Sequence, residues 1–408
     1  MKCRHCHSPL EQVFADLGSA PPTNAYLTPD AMQRPELWFP LRVLVCTECW
    51  LVQAEDYAGR DALFTKDYAY FSSFSSSWLE HSQRYVQAMQ ARFGLSTESQ
   101  VAEVAANDGY LLQYFQQSGV PCYGVEPTAS TARVAREKGL DIFEIFFGER
   151  FAKELVGKGL AADLIAANNV LGHVPDINDF VSGFRELLKP QGVATFEFPH
   201  LLNLVNEVQF DTIYHEHFSY LSLTAIINIF TANGLAVFDV ETMPTHGGSL
   251  RVYTQRSDTG QHPVCVGVAS VLEREASAKV ASPQFYSDFL TRILEVKRGL
   301  ISFLLEAQRR GESVVAYGAA AKGNTMLNFA GVRPDLVSYV VDLNPAKQGR
   351  FMPGSRIPIV DEARLRQDRP QWILLLPWNL RKELEVQLAY TREWGAKFVT
   401  AVPTLTVF

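Results

Sequence analysis

Val101-Ala-Glu-Val-Ala-Ala-Asn-Asp-Gly109 decides the fold: an apolar run ends in a turn of small and polar residues. Leu111, Leu112 and Phe115 then mark the apolar face of an amphipathic helix. Further on, Tyr123-Gly-Val-Glu126 reads as a second strand ending in an acid. Strand, turn, helix, strand and acid in this order open a nucleotide-binding α/β fold, whose strand-end acid suits ribose hydroxyls. The turn holds no G-x-G-x-x-G, so a pyrophosphate finds no glycine cradle, and a ligand without phosphate, S-adenosylmethionine, fits better. Gly109 is expected to let the backbone approach that ligand, Asn107 to sit in the turn, and Asp108 and Glu103 to face its charged end or polar tail.

The next strand, Ala162-Asp-Leu-Ile-Ala-Ala-Asn168-Asn169, ends in two amides, where open α/β sheets keep their ligands. A helix around 180–188 leads to Gly192-Val-Ala-Thr-Phe-Glu-Phe-Pro-His200, and a helix is expected around 223–233. Residues 235–241 and 249–254 read as an antiparallel hairpin closing the sheet, the feature that separates methyltransferase from dehydrogenase sheets. A charged helical pattern over about 271–310 bridges to a second α/β unit. There Lys322 in Ser313-Val-Val-Ala-Tyr-Gly-Ala-Ala-Ala-Lys-Gly-Asn-Thr325 suits a diphosphate at a helix N-terminus, with Asn324 and Thr325 beside it. Before the first unit, Tyr68-Ala-Tyr-Phe-Ser-Ser-Phe is either ordinary packing or a lid with Tyr68, Tyr70 or Ser73 as polar contacts.

At the N-terminus, Cys3-Arg-His-Cys6 and Cys46-Thr-Glu-Cys49 are two knuckles whose four thiolates close a tetrahedral shell around zinc, a structural site with no open position. His5 and His7 are available but not needed. The module has too few apolar residues for a core of its own, so zinc would replace one. The net charge of −7 and the lack of a basic block argue against nucleic acid. No apolar run approaches a membrane span, and no apolar signal region follows Met1, so a cytoplasmic protein is expected. Nothing sets the oligomeric state; a monomer is consistent.

Phe210-Asp-Thr-Ile-Tyr-His-Glu-His-Phe-Ser-Tyr220 gathers two histidines, two carboxylates and two phenols. Such a mixture suits proton transfer at neutral pH, although a buried loop whose polar groups satisfy one another has the same composition.

Taken together with Asn169-Val-Leu-Gly-His-Val-Pro-Asp176, Phe198-Pro-His200, Thr245-His-Gly-Gly-Ser249 and Asp342-Leu-Asn-Pro-Ala-Lys-Gln-Gly-Arg350, these motifs resemble the zinc-containing C-methyltransferases of nucleotide-activated 4-keto deoxysugars. The resemblance covers essentially the whole chain. It departs at Ala106, where the family often has Ser, and at Gly172, where Ala is usual; neither removes a functional group. It implies a zinc module (1–65), a class I S-adenosylmethionine-binding Rossmann-like domain (66–256), a helical connector (257–310) and a C-terminal Rossmann-like domain for a dTDP-sugar (311–408). It also implies His217 as the base that enolises a 4-keto-6-deoxysugar at C3, with Tyr214 and Glu216 positioning it or bonding the enolate. His215 is the rival base, expected on the opposite side of an extended segment. The expected contacts are Glu103, Asn107, Asp108, Gly109, Glu126, Asn168 and Asn169 for the cofactor, and Tyr70, His173, His200, His246, Lys322, Asn324 and Thr325 for the sugar nucleotide. The alternatives are an O-methyltransferase on a related sugar, an RNA methyltransferase, and a binding protein without activity.

Overall fold

The computed structural model describes residues 1–57 and 71–408; Tyr68, Tyr70 and the boundary expected at residue 65 lie outside them. Strands β1 (Gln12–Ala20), β2 (Phe39–Val45) and β3 (Val52–Ala54) form an antiparallel meander. Its inward residues Phe14, Leu17, Val43 and Val52 do not pack on one another alone. They share one apolar cluster with the helix Phe289–Arg309 and with residues of the C-terminal sheet. Phe14 stacks on Phe289 with ring centroids 4.4 Å apart. The module therefore borrows a core from the rest of the chain, which amends the expectation that zinc alone replaces one.

The central sheet is built from β4 (Val101–Val104), β5 (Cys122–Val125), β6 (Ile142–Phe143), β7 (Ala162–Asn168) and β8 (Leu188–Pro199). β9 (Ser219–Tyr220) leaves this sheet and pairs antiparallel with β3, setting Val52 opposite Tyr220. β10 (Leu235–Met243) and β11 (Ser249–Arg256) form the expected hairpin. The order is β10-β11-β8-β7-β4-β5-β6, with β11 the one antiparallel strand, inserted between β8 and β10. Helices cover both faces of the parallel strands, so residues 164–167 of β7 are wholly buried and read as one apolar run rather than an alternation.

The C-terminal sheet comprises β12 (Val314–Tyr317), β13 (Val340–Val341), β14 (Ile359–Val360), β15 (Trp372–Leu375), β16 (Lys397–Thr400) and β17 (Thr406–Val407). Its order is β14-β13-β12-β15-β16-β17, parallel except for β17. In both larger sheets the strand order reverses at a crevice where ligands bind in such folds, between β4 and β7 in one and between β12 and β15 in the other. The meander bridges the two units. Tyr26 donates to the Ala319 carbonyl at 2.6 Å, and Leu27 pairs with Phe351. No helix among the described residues is long and apolar enough to cross a membrane.

Candidate active site

The two crevices open onto one cavity of about 420 Å³. Its first end lies over the central sheet. The Glu126 carboxylate at the end of β5 accepts from the Asn107 amide at 2.9 Å and from the Thr128 amide at 2.9 Å. Burial raises its pKa, and these donors pull it back in part. Asn168 and Asn169 end β7 on the cavity wall, and the Oδ1 atoms of both are buried with no partner among the described residues. A cradle of strand-end acid, turn amide and unpartnered side-chain amide oxygens fits the ribose and amino-acid tail of S-adenosylmethionine.

Three cofactor candidates sit differently from expectation. The added Cβ of any residue at Gly109 would lie 2.3 Å from Leu140 Cδ1, so its φ of 76° and the packing of the helix Ala129–Glu137 require this glycine, not a ligand. Asp108 is buried off the cavity lining, accepting from the Ser73 amide at 3.3 Å, with Lys138 Nζ donating to its carbonyl at 2.6 Å. Glu103 is wholly buried in β4; burial pushes its carboxyl well above the usual range, with Tyr110 holding it down in part. Tyr110, rather than Glu103, reaches the cavity.

The polar cluster meets the cavity through Thr212, Tyr214 and His217 and is folded as a tight turn rather than an extended segment: the His217 amide donates to the Tyr214 carbonyl at 2.9 Å. His217 Nδ1 lies 2.6 Å from the Thr212 carbonyl, which can only accept, so the ring proton sits on Nδ1 and Nε2 carries a free lone pair. Burial lowers the pKa well below the ordinary value, and His173 adds to the effect, so the ring is neutral at pH 7. Tyr214 lies against it with centroids 3.8 Å apart, and the His173 ring meets it edge-on at 4.6 Å. His173 Nδ1 in turn donates to the Glu216 carbonyl at 2.9 Å.

The side chains of His215 and Glu216 turn away from the cavity. His215 Nε2 donates to the carbonyls of Phe39 and Pro40 at 3.3 and 3.2 Å. The buried Glu216 carboxylate accepts from Thr23 Oγ1 at 3.1 Å and Asn24 Nδ2 at 3.1 Å. Both therefore anchor the turn to the N-terminal module, and neither lines the cavity.

At the far end, Lys322 opens the helix Ala321–Ala330 with its ammonium 4.9 Å over the Trp378 ring and 3.4 Å from Asn379 Oδ1. Lys347, which sequence reasoning left unassigned, lines the same end and donates to the Ala319 carbonyl at 2.8 Å. Asn324 and Thr325 do not join them. Asn324 is buried against the Thr23 carbonyl, and Thr325 Oγ1 donates to the Ile213 carbonyl at 3.0 Å. Asn324, two residues along the helix, points about 200° away from Lys322, whereas Thr325, three residues along, lies within about 60° of that direction and is engaged by Ile213 instead. His200 is also no cavity residue: its ring is wholly buried, 2.6 Å from Glu275, which caps the helix Leu223–Ala232. Asn24 and Trp78, both missed from the sequence, complete the wall. Only contact with distant segments could have revealed them.

The four cysteine Sγ atoms lie within 4.8 Å of one another, with Cys3–Cys49 and Cys6–Cys46 each 3.5 Å apart. The two knuckles repeat one geometry. The amides of His7 and Trp50 each donate to the carbonyl of the first cysteine at 3.0 Å, and both residues adopt left-handed φ values of 63° and 62°. Two superposable knuckles facing each other fit a tetrahedral thiolate metal. His5 is engaged with Asn178 instead.

The sheet order, reversed last strand and strand-end acid define a class I S-adenosylmethionine-dependent methyltransferase fold. Family profiles agree: "Methyltransferase domain" over residues 78–240, "Putative zinc binding domain" over 3–64 and "C-methyltransferase C-terminal domain" over 244–403. The C-methyltransferase NovU of Streptomyces niveus is 32% identical over 402 residues, covering 98% of this chain and 95% of that protein. The chain belongs to this zinc-module C-methyltransferase family and is an S-adenosylmethionine-dependent C-methyltransferase. The ubiquinone biosynthesis O-methyltransferase of Histophilus somni is 31% identical over 117 residues, 27% of this chain and 49% of that protein. Among solved structures, the magnesium protoporphyrin IX methyltransferase of Synechocystis PCC 6803 aligns over 44% of this chain and 83% of its own, with 16% identity and a TM-score of 0.35.

Proposed function

We propose that the enzyme methylates C3 of a nucleotide-activated, dTDP-linked 4-keto-6-deoxysugar in deoxysugar biosynthesis, with His217 as the base. One observation carries this reading. A neutral imidazole with its tautomer set by Thr212 lines the same cavity as the strand-end amides and Lys322. The C4 ketone acidifies the C3–H bond, and His217 Nε2 takes that proton while the bond's electron pair moves into an enolate. Tyr214 and His173 fix the ring. Glu216 acts through its carbonyl on His173 and through its clasp to Thr23 and Asn24. Lys322 and Lys347 would meet the diphosphate. S-adenosylmethionine, which Glu126, Asn107, Asn168 and Asn169 would hold, supplies the methyl electrophile that the carbon nucleophile takes up. Cys3, Cys6, Cys46 and Cys49 would hold a structural zinc ion.

The test is incubation with S-adenosylmethionine and a panel of dTDP-4-keto-6-deoxysugars in deuterated buffer, read by mass spectrometry and NMR. A new carbon-bound methyl at C3 supports the reading. Methyl on oxygen without deuterium at C3, or neither product although both ligands bind, overturns it.

A further inference from the structure

The loop Thr245-His-Gly-Gly-Ser249 is held in a conformation that costs backbone strain. His246, Gly247 and Gly248 have successive φ values of 54°, 90° and 109°. A Cβ on Gly247 would lie 2.7 Å from both Gln209 Nε2 and Trp378 Cη2, and one on Gly248 would lie 2.2 Å from Asn203 Nδ2. The loop is also tied from beneath. Thr245 Oγ1 donates to Glu197 Oε1 at 2.9 Å, and the other oxygen of that carboxylate meets Arg251 at 2.8 Å and His81 at 2.9 Å. Burial works against the charge on Glu197, but His81 and Arg251 outweigh it and hold the carboxyl at about 2. Gln209 closes the other side by donating to the Gly247 carbonyl at 2.8 Å. Strain maintained by a buried ion cluster next to a cavity marks a side chain whose direction matters.

That side chain is His246. It lines the cavity, with Trp78 edge-on at 5.2 Å. Asn169 Nδ2 donates to its Nε2 at 3.2 Å, so the ring proton belongs on Nδ1. Burial pushes its pKa down to about 4, with the Lys322 charge acting in the same direction, and the imidazole is neutral near pH 7.

We propose that His246 is a second catalytic residue, a neutral imidazole whose Nδ1–H hydrogen-bonds the C4 oxygen as negative charge builds there, while His217 on the same cavity removes the C3 proton. This rests on the enolisation reading above. The C3–H pair becomes the C3=C4 bond, the carbonyl π pair moves onto oxygen, and the proton goes to His217; His246 donates a hydrogen bond and keeps its proton. A neutral donor aimed at a developing oxyanion strengthens as charge accumulates, which the resting ketone does not exploit to the same degree.

The experiment follows deuterium entry at C3 of a dTDP-4-keto-6-deoxysugar in deuterated buffer without S-adenosylmethionine, alongside sugar-nucleotide binding by titration. His246→Ala removes the donor. His246→Asn places an amide N–H near the Nδ1 position and tolerates the left-handed backbone. The expected result is an exchange rate about 10²-fold lower in the alanine variant with binding changed less than about threefold, and recovery of about tenfold in the asparagine variant. Exchange in the alanine variant within about threefold of wild type overturns the inference and leaves the enolisation reading standing. Exchange and binding lost together in both variants also overturns it, in favour of a packing role. A wild-type enzyme that binds the sugar but exchanges nothing at C3 overturns both.

Discussion

Acid should destabilise this protein through histidines buried in the neutral state, and His173 gives the cleanest case. Burial lowers its pKa to about 4, with its hydrogen bond to the Glu216 carbonyl acting the other way. In the unfolded chain it titrates near ~6.5. A group whose folded pKa is depressed contributes stability above the unfolded value and loses it as pH falls through the folded one, because the unfolded chain takes up the proton first. Two and a half pKa units correspond to about 3 kcal/mol, and water reaching the ring through the cavity trims this to between about 1 and 3 kcal/mol. The perturbation is His173→Asn, which keeps a donor for the Glu216 carbonyl and removes the titration. Raised carboxyls such as Glu103 and Glu216 titrate in both proteins, so they cancel in the difference. Urea denaturation at pH 7, 6, 5 and 4 should show wild type losing that amount relative to the variant, mostly below pH 6.5. Parallel curves over the whole range would mean that His173 is solvated in the native state and would refute the reasoning.

Other outcomes follow from the same contacts. Lys322→Ala should raise KM for the sugar nucleotide more than it lowers kcat; equal binding by titration in wild type and variant would count against a diphosphate at that end. Thr23→Val leaves the buried Glu216 carboxylate short of one donor, which should cost about 1–3 kcal/mol of stability and lower kcat with little change in KM for S-adenosylmethionine. Chelating the proposed zinc, or Cys46→Ser, should cost soluble protein first. Because β3 carries β9 beside the turn that holds His217, the protein that survives should also turn over more slowly, which a metal assay paired with kinetics would check.

The central fold was legible because its signals are local. The Val101–Val104 strand, the polar turn, the acid at Glu126 and the final hairpin all rest on short runs of sequence. Paired cysteine knuckles carry their own geometry in the same way. The site was legible in part. His217, Lys322, Glu126 and the strand-end amides line one cavity; strand ends and a helix start dictate the direction of all of them except His217, which sits on a turn. Asn324 and Thr325 stand off the cavity because their partners, Thr23 and Ile213, lie 301 and 112 residues away. His200 was misread because its partner, Glu275, lies 75 residues away. Glu216 faces Thr23 across 193 residues, and the two-residue strand β9 carries no periodicity to detect. Each miss is a contact between distant segments, which spacing along the chain does not encode.

The most direct test of the account is the His217→Asn variant. Asparagine keeps an N–H for the Thr212 carbonyl and deletes the Nε2 lone pair. Deuterium entry at C3 and methyl transfer would be measured side by side with wild type, with S-adenosylmethionine and sugar-nucleotide binding titrated on the same samples. The account predicts that both ligands bind and that both rates fall by at least about 10²-fold. A variant that exchanges C3 and transfers methyl at the wild-type rate would show that the base lies elsewhere.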